Sequence, residues 1–115
     1  MNDMIKFLTK KIKTRCPYEV AKENHILIIN EPLGNIDGYY NKVNGQKFIH
    51  VNSDASDWSK EYIIAHELYF ALLDIEYKFL ILGETASHKE ANDFAIMLLH
   101  KGCNKRRHDY QLIMA

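Results

Sequence analysis

From Trp58 to about Asp74 the chain is apolar around most of its circumference. Tyr62, Ile63, Ile64, Ala65, Leu68, Tyr69, Phe70, Ala71, Leu72 and Leu73 leave no broad polar face. A helix of that kind belongs in the middle of a domain, so the rest of the fold is built around it. Ser56 or Asp57 is placed to cap its start. His66 and Glu67 are the anomaly inside it, because a buried polar side chain must be hydrogen-bonded, ion-paired or metal-bound. The pair is also the first half of H-E-x-x-H. In that pattern two histidines one helical turn apart bind zinc, and the glutamate acts as general base on the metal's water. Phe70 stands where the second histidine would be.

The flanking segments predict a small sheet and further helices. Asn2 or Asp3 can cap a helix with Ile5, Leu8 and Ile12 on one face, ending by Cys16 because Pro17 disfavours helical geometry before it. Pro17 suits the first turn of a second, short helix, Tyr18 to about Glu23, with Val20 and Ala21 inward. Ile26 to Ile29 reads as a strand. Residues 38–42 and 46–52 flank Asn44-Gly45, a pair that favours the positive φ angles of a tight hairpin turn. Beyond a connector holding Tyr77, Phe79 and Gly83, a last strong helix is expected from His88 to about His100. Its inward stripe is Ala91, Phe94, Ala95 and Leu98, and Gly102 lies past its end. The tail from Lys105 to Tyr110 is basic and has room for a short final helix.

At 115 residues the chain is long enough for one core, and residues 1–115 are read as a single domain. Lys plus Arg and Asp plus Glu both total 15, so no overall field recruits nucleic acid or an anionic membrane. Direct nucleic-acid binding is therefore not expected. Charges break every apolar stretch short of membrane-spanning length, and Met1-Asn2-Asp3-Met4 has no signal-peptide layout. Cys16 and Cys103, far apart and outside any CxxC pattern, are read as reduced thiols of a cytoplasmic protein.

Three stretches carry a resemblance when taken in order. The first is Pro17-Tyr18-Glu19-Val20-Ala21-Lys22-Glu23, followed by a short strand. The second is Gly38-Tyr39-Tyr40 with Lys47-Phe48-Ile49-His50-Val51-Asn52. The third is Ile64-Ala65-His66-Glu67-Leu68 with Glu90-Ala91-Asn92-Asp93-Phe94-Ala95-Ile96-Met97-Leu98-Leu99. Together they cover most of residues 16–99 and resemble the ImmA/IrrE family of zinc metallopeptidases. The resemblance implies an α+β fold of the minimal zincin type: a small twisted sheet of about three strands packed on the His66 helix, with the His88 helix behind and an N-terminal helix closing one side. It also implies a regulatory role in phages or integrative elements, where members relieve repression by cleaving a helix-turn-helix repressor or promoting its loss.

By the same resemblance His66 keeps the place of a zinc ligand and Glu67 that of the general base. His88 stands where the family has an acidic ligand, and Phe70 removes the second histidine. Matched positions thus supply two ligands where catalytic zinc takes three. Asp74 lies about 12 Å along the helix from His66, too far to share an ion, and Glu90 is turned about 200° from His88. Zn2+ is accordingly expected to be absent or weakly held. Without metal, His66 reads as a core histidine bonded to Glu67, His88 or a carbonyl, and Glu67 as a paired or protonated carboxyl. His88 then reads as a first-turn surface residue and Tyr39-Tyr40 as a half-buried hairpin pair. Phe48, Ile49, His50, Val51 and Asn52, with Tyr39, are expected to hold an extended partner segment added as another strand. The expected function is a degenerate peptidase that binds a protein partner, a helix-turn-helix repressor or a host defence factor. The alternative is an active zinc endopeptidase with an irregular ligand set, in which Glu67 passes a proton to the leaving amine.

Overall fold

Pro17 opens helix α1 (Pro17–Glu23), where its missing N–H costs nothing, and Val20 and Ala21 are buried on its inner side. The computed structural model describes Leu8, Ile12 and residues 16–74, 84–99 and 113–114; for 84–87 and 113–114 only the backbone is described. Most of the expected N-terminal helix, the connector of Tyr77, Phe79 and Gly83, and the basic tail lie outside these residues. Leu8 is buried, and its carbonyl accepts from the Ile12 amide at 3.1 Å.

Strands β1 (Ile26–Glu31), β2 (Gly38–Val43) and β3 (Gln46–Asn52) follow. The β2–β3 hairpin turns on Asn44 and Gly45, whose φ angles of 50° and 84° are those the Asn-Gly pair predicts. Helix α2 (Asp57–Leu73) and helix α3 (Glu84–Leu99) come next, and a two-residue strand β4 (Ile113–Met114) ends the sequence of elements. The sheet order is β2-β3-β1-β4, with β1 parallel to β3 and β4, and β2 antiparallel to β3. The fold is α+β, as expected, with one strand more than expected.

Alternation along the strands sends Ile26, Ile28, Tyr40, Ile49 and Val51 to one face, where α1 covers β1 and α2 covers β2 and β3. On α2 itself Ile64, Ala65, Leu68 and Ala71 have no exposed surface, as its all-round apolar pattern predicts. Ala91, Phe94, Ala95 and Leu98 of α3 are equally enclosed and pack against α2. Ser56 caps α2 by accepting from the Ser59 amide at 3.1 Å. At the other end Asp74 takes the left-handed conformation (φ 58°, ψ 45°) and its carboxylate accepts from the Tyr40 hydroxyl and the Lys42 ammonium, both at 2.6 Å. Lys47 donates to the Ala71 carbonyl at 2.6 Å, so cations close the negative end of the helix.

Three expectations are corrected. β3 is an interior strand, bonded on both sides, so the expected addition of a partner segment to Phe48–Asn52 has no edge to use; β2 is the edge strand at this end of the sheet. α3 begins at Glu84, a turn before His88, because Glu84 to Ser87 carry no apolar stripe for periodicity to detect. Cys16 is disulfide-bonded, not a reduced thiol; its expected state followed from sequence spacing, which does not report distances in the fold. Cys103 lies outside the described residues. Among the described residues no helix is long and apolar enough to cross a membrane.

Candidate functional site

Residues four apart on a helix fall on one side, and Trp58, Tyr62, His66 and Phe70 form such a row along α2. The rings of Tyr62 and His66 are 6.2 Å apart and those of His66 and Phe70 5.5 Å apart. His88, from the first half of α3, joins the row. Its ring is 5.6 Å from His66 with the planes 25° apart, and 5.8 Å from Phe70 at a steep angle. His66, His88 and Phe70 thus meet in one place, and His88 is a half-buried site residue, not a surface one. Phe70 is 1% exposed, an apolar ring wedged against both imidazoles.

Glu67 Oε2 lies 3.1 Å from His66 Nδ1, with both side chains only 12–13% exposed. A carboxylate held this way fixes the imidazole and satisfies a polar pair that burial would otherwise penalise. Glu90, two residues beyond His88, accepts from the Tyr69 hydroxyl. Asp74, as the helix arithmetic requires, is engaged at the far end of α2. His50 is separate again. It stacks on Tyr39 at 4.2 Å and places its ring nitrogens 2.8 Å from Glu31 Oε1 and 2.7 Å from Asn41 Oδ1, on the sheet face opposite α2. Ile49 and Val51 are fully buried under α2, so within the predicted partner-binding set only Phe48, His50 and Tyr39 look outward. Asn52 organises its surroundings: its side-chain amide donates to the Gly34 and Ile36 carbonyls at 2.9 and 3.0 Å.

His66, Glu67 and His88 line a cleft of about 330 Å³ whose other walls include Asp37, Gly38, Tyr62 and Asn92. Sequence reading assigned these four no role. Tyr62 was detectable, one turn before His66 on the same face. Asn92 stands in the quoted Glu-Ala-Asn run, and it accepts from the Tyr62 hydroxyl at 2.6 Å. Burial first, and the charge of Asp93 second, push the Tyr62 phenol above its ordinary value, so it stays a neutral donor. Asp37 carries no local signal; it is brought here by the loop before β2, which Gly38 opens. Gly38 is obligatory for the approach of β2 to α2, since a Cβ there would lie 2.6 Å from both the His50 carbonyl oxygen and Ile63 Cγ2.

Among the described residues the donor set falls short of a catalytic zinc's. Such an ion takes three protein ligands and keeps one open position. Two imidazoles and an apolar ring converge here, and among the described residues no group of three or more His, Cys, Asp or Glu side chains is arranged to hold a metal.

A buried His-Glu helix beneath a small mixed sheet, backed by a second helix, is the plan of a minimal zincin-like domain. Compared with known families, residues 21–104 match Peptidase M78, the IrrE N-terminal-like domain; the chain belongs to this family. No curated protein and no solved structure matches it.

Proposed function

We propose that this chain is an ImmA/IrrE-like regulatory protein of a phage or mobile element that binds a protein partner at the α2–β2 cleft without cutting it. The partner classes that family membership favours are a helix-turn-helix repressor and a host defence protein. One observation carries the reading: the Phe70 ring, almost fully buried, packs against His66 and His88 where a third ligand would be needed. Apolar packing there stabilises the core and leaves the cleft's shape in place.

A second reading, hydrolysis with an irregular ligand set, draws on His88 meeting His66 and on Glu67 standing beside them. Two measurements separate the readings. Zinc content of protein purified without chelator should be far below one equivalent for the wild type and near one for Phe70→His. A wild-type value near one equivalent, lost on replacing His66, would overturn the binding reading. In cells carrying the element's repressor, Glu67→Gln should relieve repression as well as the wild type, with the repressor intact. Loss of relief in Glu67→Gln, with the variant folded, would favour hydrolysis.

A further inference from the structure

Beside the cleft lies a second cavity of about 500 Å³, which shares Asp37, Tyr62 and Ile63 with it and adds Ala55, Trp58 and Ser59. Trp58 is 69% exposed in the first turn of α2, so this large ring makes little contribution to the core. The ring of Tyr62 stands a turn further in, and its hydroxyl is already committed to Asn92. What the two aromatics offer a visitor is therefore ring surface. Asp37 lines both cavities, and among the described residues no Lys or Arg lines either; Glu67, in the inner one, is already paired with His66. In a chain whose charges balance at 15 against 15, that is a local departure. Asp54 and Asp57, in the segment leading into α2, are exposed but line neither cavity.

The backbone is arranged to present a segment to this place. The Asp37 carbonyl accepts from the Asn52 amide at 2.9 Å, one step before the Gly38–Val51 pair that opens the β2–β3 ladder. In an antiparallel ladder the next residue directs its N–H and C=O the other way, which turns those of Gly38 toward the outside of β2. The Asn52 side chain meanwhile ties down the loop before Asp37, accepting from the Leu33 amide and donating to two loop carbonyls. Asp37 is therefore held at a defined position beside Gly38.

We propose that the Asp37–Trp58–Tyr62 cavity is a subsite for a basic side chain, arginine ahead of lysine, on an extended segment of the protein partner that passes Gly38. This rests on the reading of the cleft as a protein-binding surface and names what it recognises. A guanidinium can stack on Trp58 or Tyr62 and pair with the Asp37 carboxylate in one pose. An ammonium keeps the charge but loses the planar fit. An acidic side chain is repelled by Asp37, and an apolar one leaves that carboxylate without a counter-charge.

Trp58 is the chain's single tryptophan, so its fluorescence reports on the cavity directly. The probe is a set of short capped peptides of alternating Thr and Val with one central residue, Arg, Lys, Gln, Leu or Glu. The Arg peptide should quench or shift Trp58 saturably and bind about tenfold tighter than the Gln peptide. Lys should fall between them, Glu should bind weakest, and added salt should narrow the Arg advantage. Asp37→Asn keeps the backbone bond to Asn52 and should erase the Arg advantage without weakening the Gln peptide. Asp54→Asn, which removes an equal charge outside the cavity, should leave it intact. Equal binding of Arg, Gln and Leu peptides, or an Arg advantage that survives Asp37→Asn, overturns the subsite alone and leaves the protein-binding reading standing. Binding of none of the peptides overturns both.

Discussion

The two halves of α2 carry one row of rings into opposite surroundings. At the N-terminal half Trp58 and Tyr62 border open cavities that share Asp37 in their walls. At the C-terminal half Phe70 is enclosed, and Asp74 is clasped by Tyr40 and Lys42 while Lys47 holds the Ala71 carbonyl. His66 and Glu67 stand at the boundary between the halves. The difference teaches that spacing on a helix decides which residues share a side, whereas burial depends on what the sheet and α3 lay over that side. At that boundary the buried Phe70 ring packs against both imidazoles.

Truncating the sealed half should have the largest effect. Phe70→Ala leaves a cavity among aromatic neighbours and should cost about 3–5 kcal/mol by denaturant unfolding. A loss of under about 1 kcal/mol would mean that Phe70 is not the plug the geometry makes it. Gly38→Ala should cost about 3 kcal/mol, because one of the two contacts its Cβ would make is with backbone and cannot swing aside. A neutral result would show that β2 can lift from α2, so that the cleft wall is not rigid.

The Asp74 clasp gives a smaller, pH-dependent term. Hydrogen bonds from Lys42 and then Tyr40 hold its carboxyl below the ordinary 3.8. A lowered folded value means stability that is full above the unfolded value and is lost as pH falls through the folded one. Asp74→Asn, which tolerates the left-handed cap, should therefore unfold earlier than the wild type at neutral pH, and the gap should close in acid. Its size is on the order of 0.5 kcal/mol, since the pair is partly exposed and screened by solvent. Smallest of all, Trp58→Ala should change stability by less than about 0.5 kcal/mol. Against Phe70→Ala, that pair of numbers measures the contrast between the halves directly.

Much of this was legible before any coordinates. The apolar circumference placed α2 at the centre, Ser56 or Asp57 marked its start, Asn44-Gly45 marked the hairpin, and the stripe Ala91, Phe94, Ala95, Leu98 marked the inner side of α3. The meeting of His66, His88 and Phe70 followed from family spacing, and their rings do meet. Reading failed where a local pattern has more than one partner to satisfy. Residues 46–52 look the same as an edge or an interior strand, since alternation reports faces and not neighbours. The C-terminal Ile113–Met114 pairing is too short to leave a pattern, and Asp37 looks like any loop aspartate.

The chain's own order of residues determined what each segment is: helix or strand, which side is apolar, and that phenylalanine stands where H-E-x-x-H has its second histidine. Those properties depend on dihedral preference and on periodicity within a few residues, which covalent connection sets. Only the tertiary structure decided that β1 enters the sheet beside β3, that Asp37 reaches the Trp58 end of α2, and that His50 turns to the opposite face with Glu31 and Asn41. Such adjacencies join residues far apart in the chain, and they arise from burying all the apolar faces at once, a condition no short window of sequence contains.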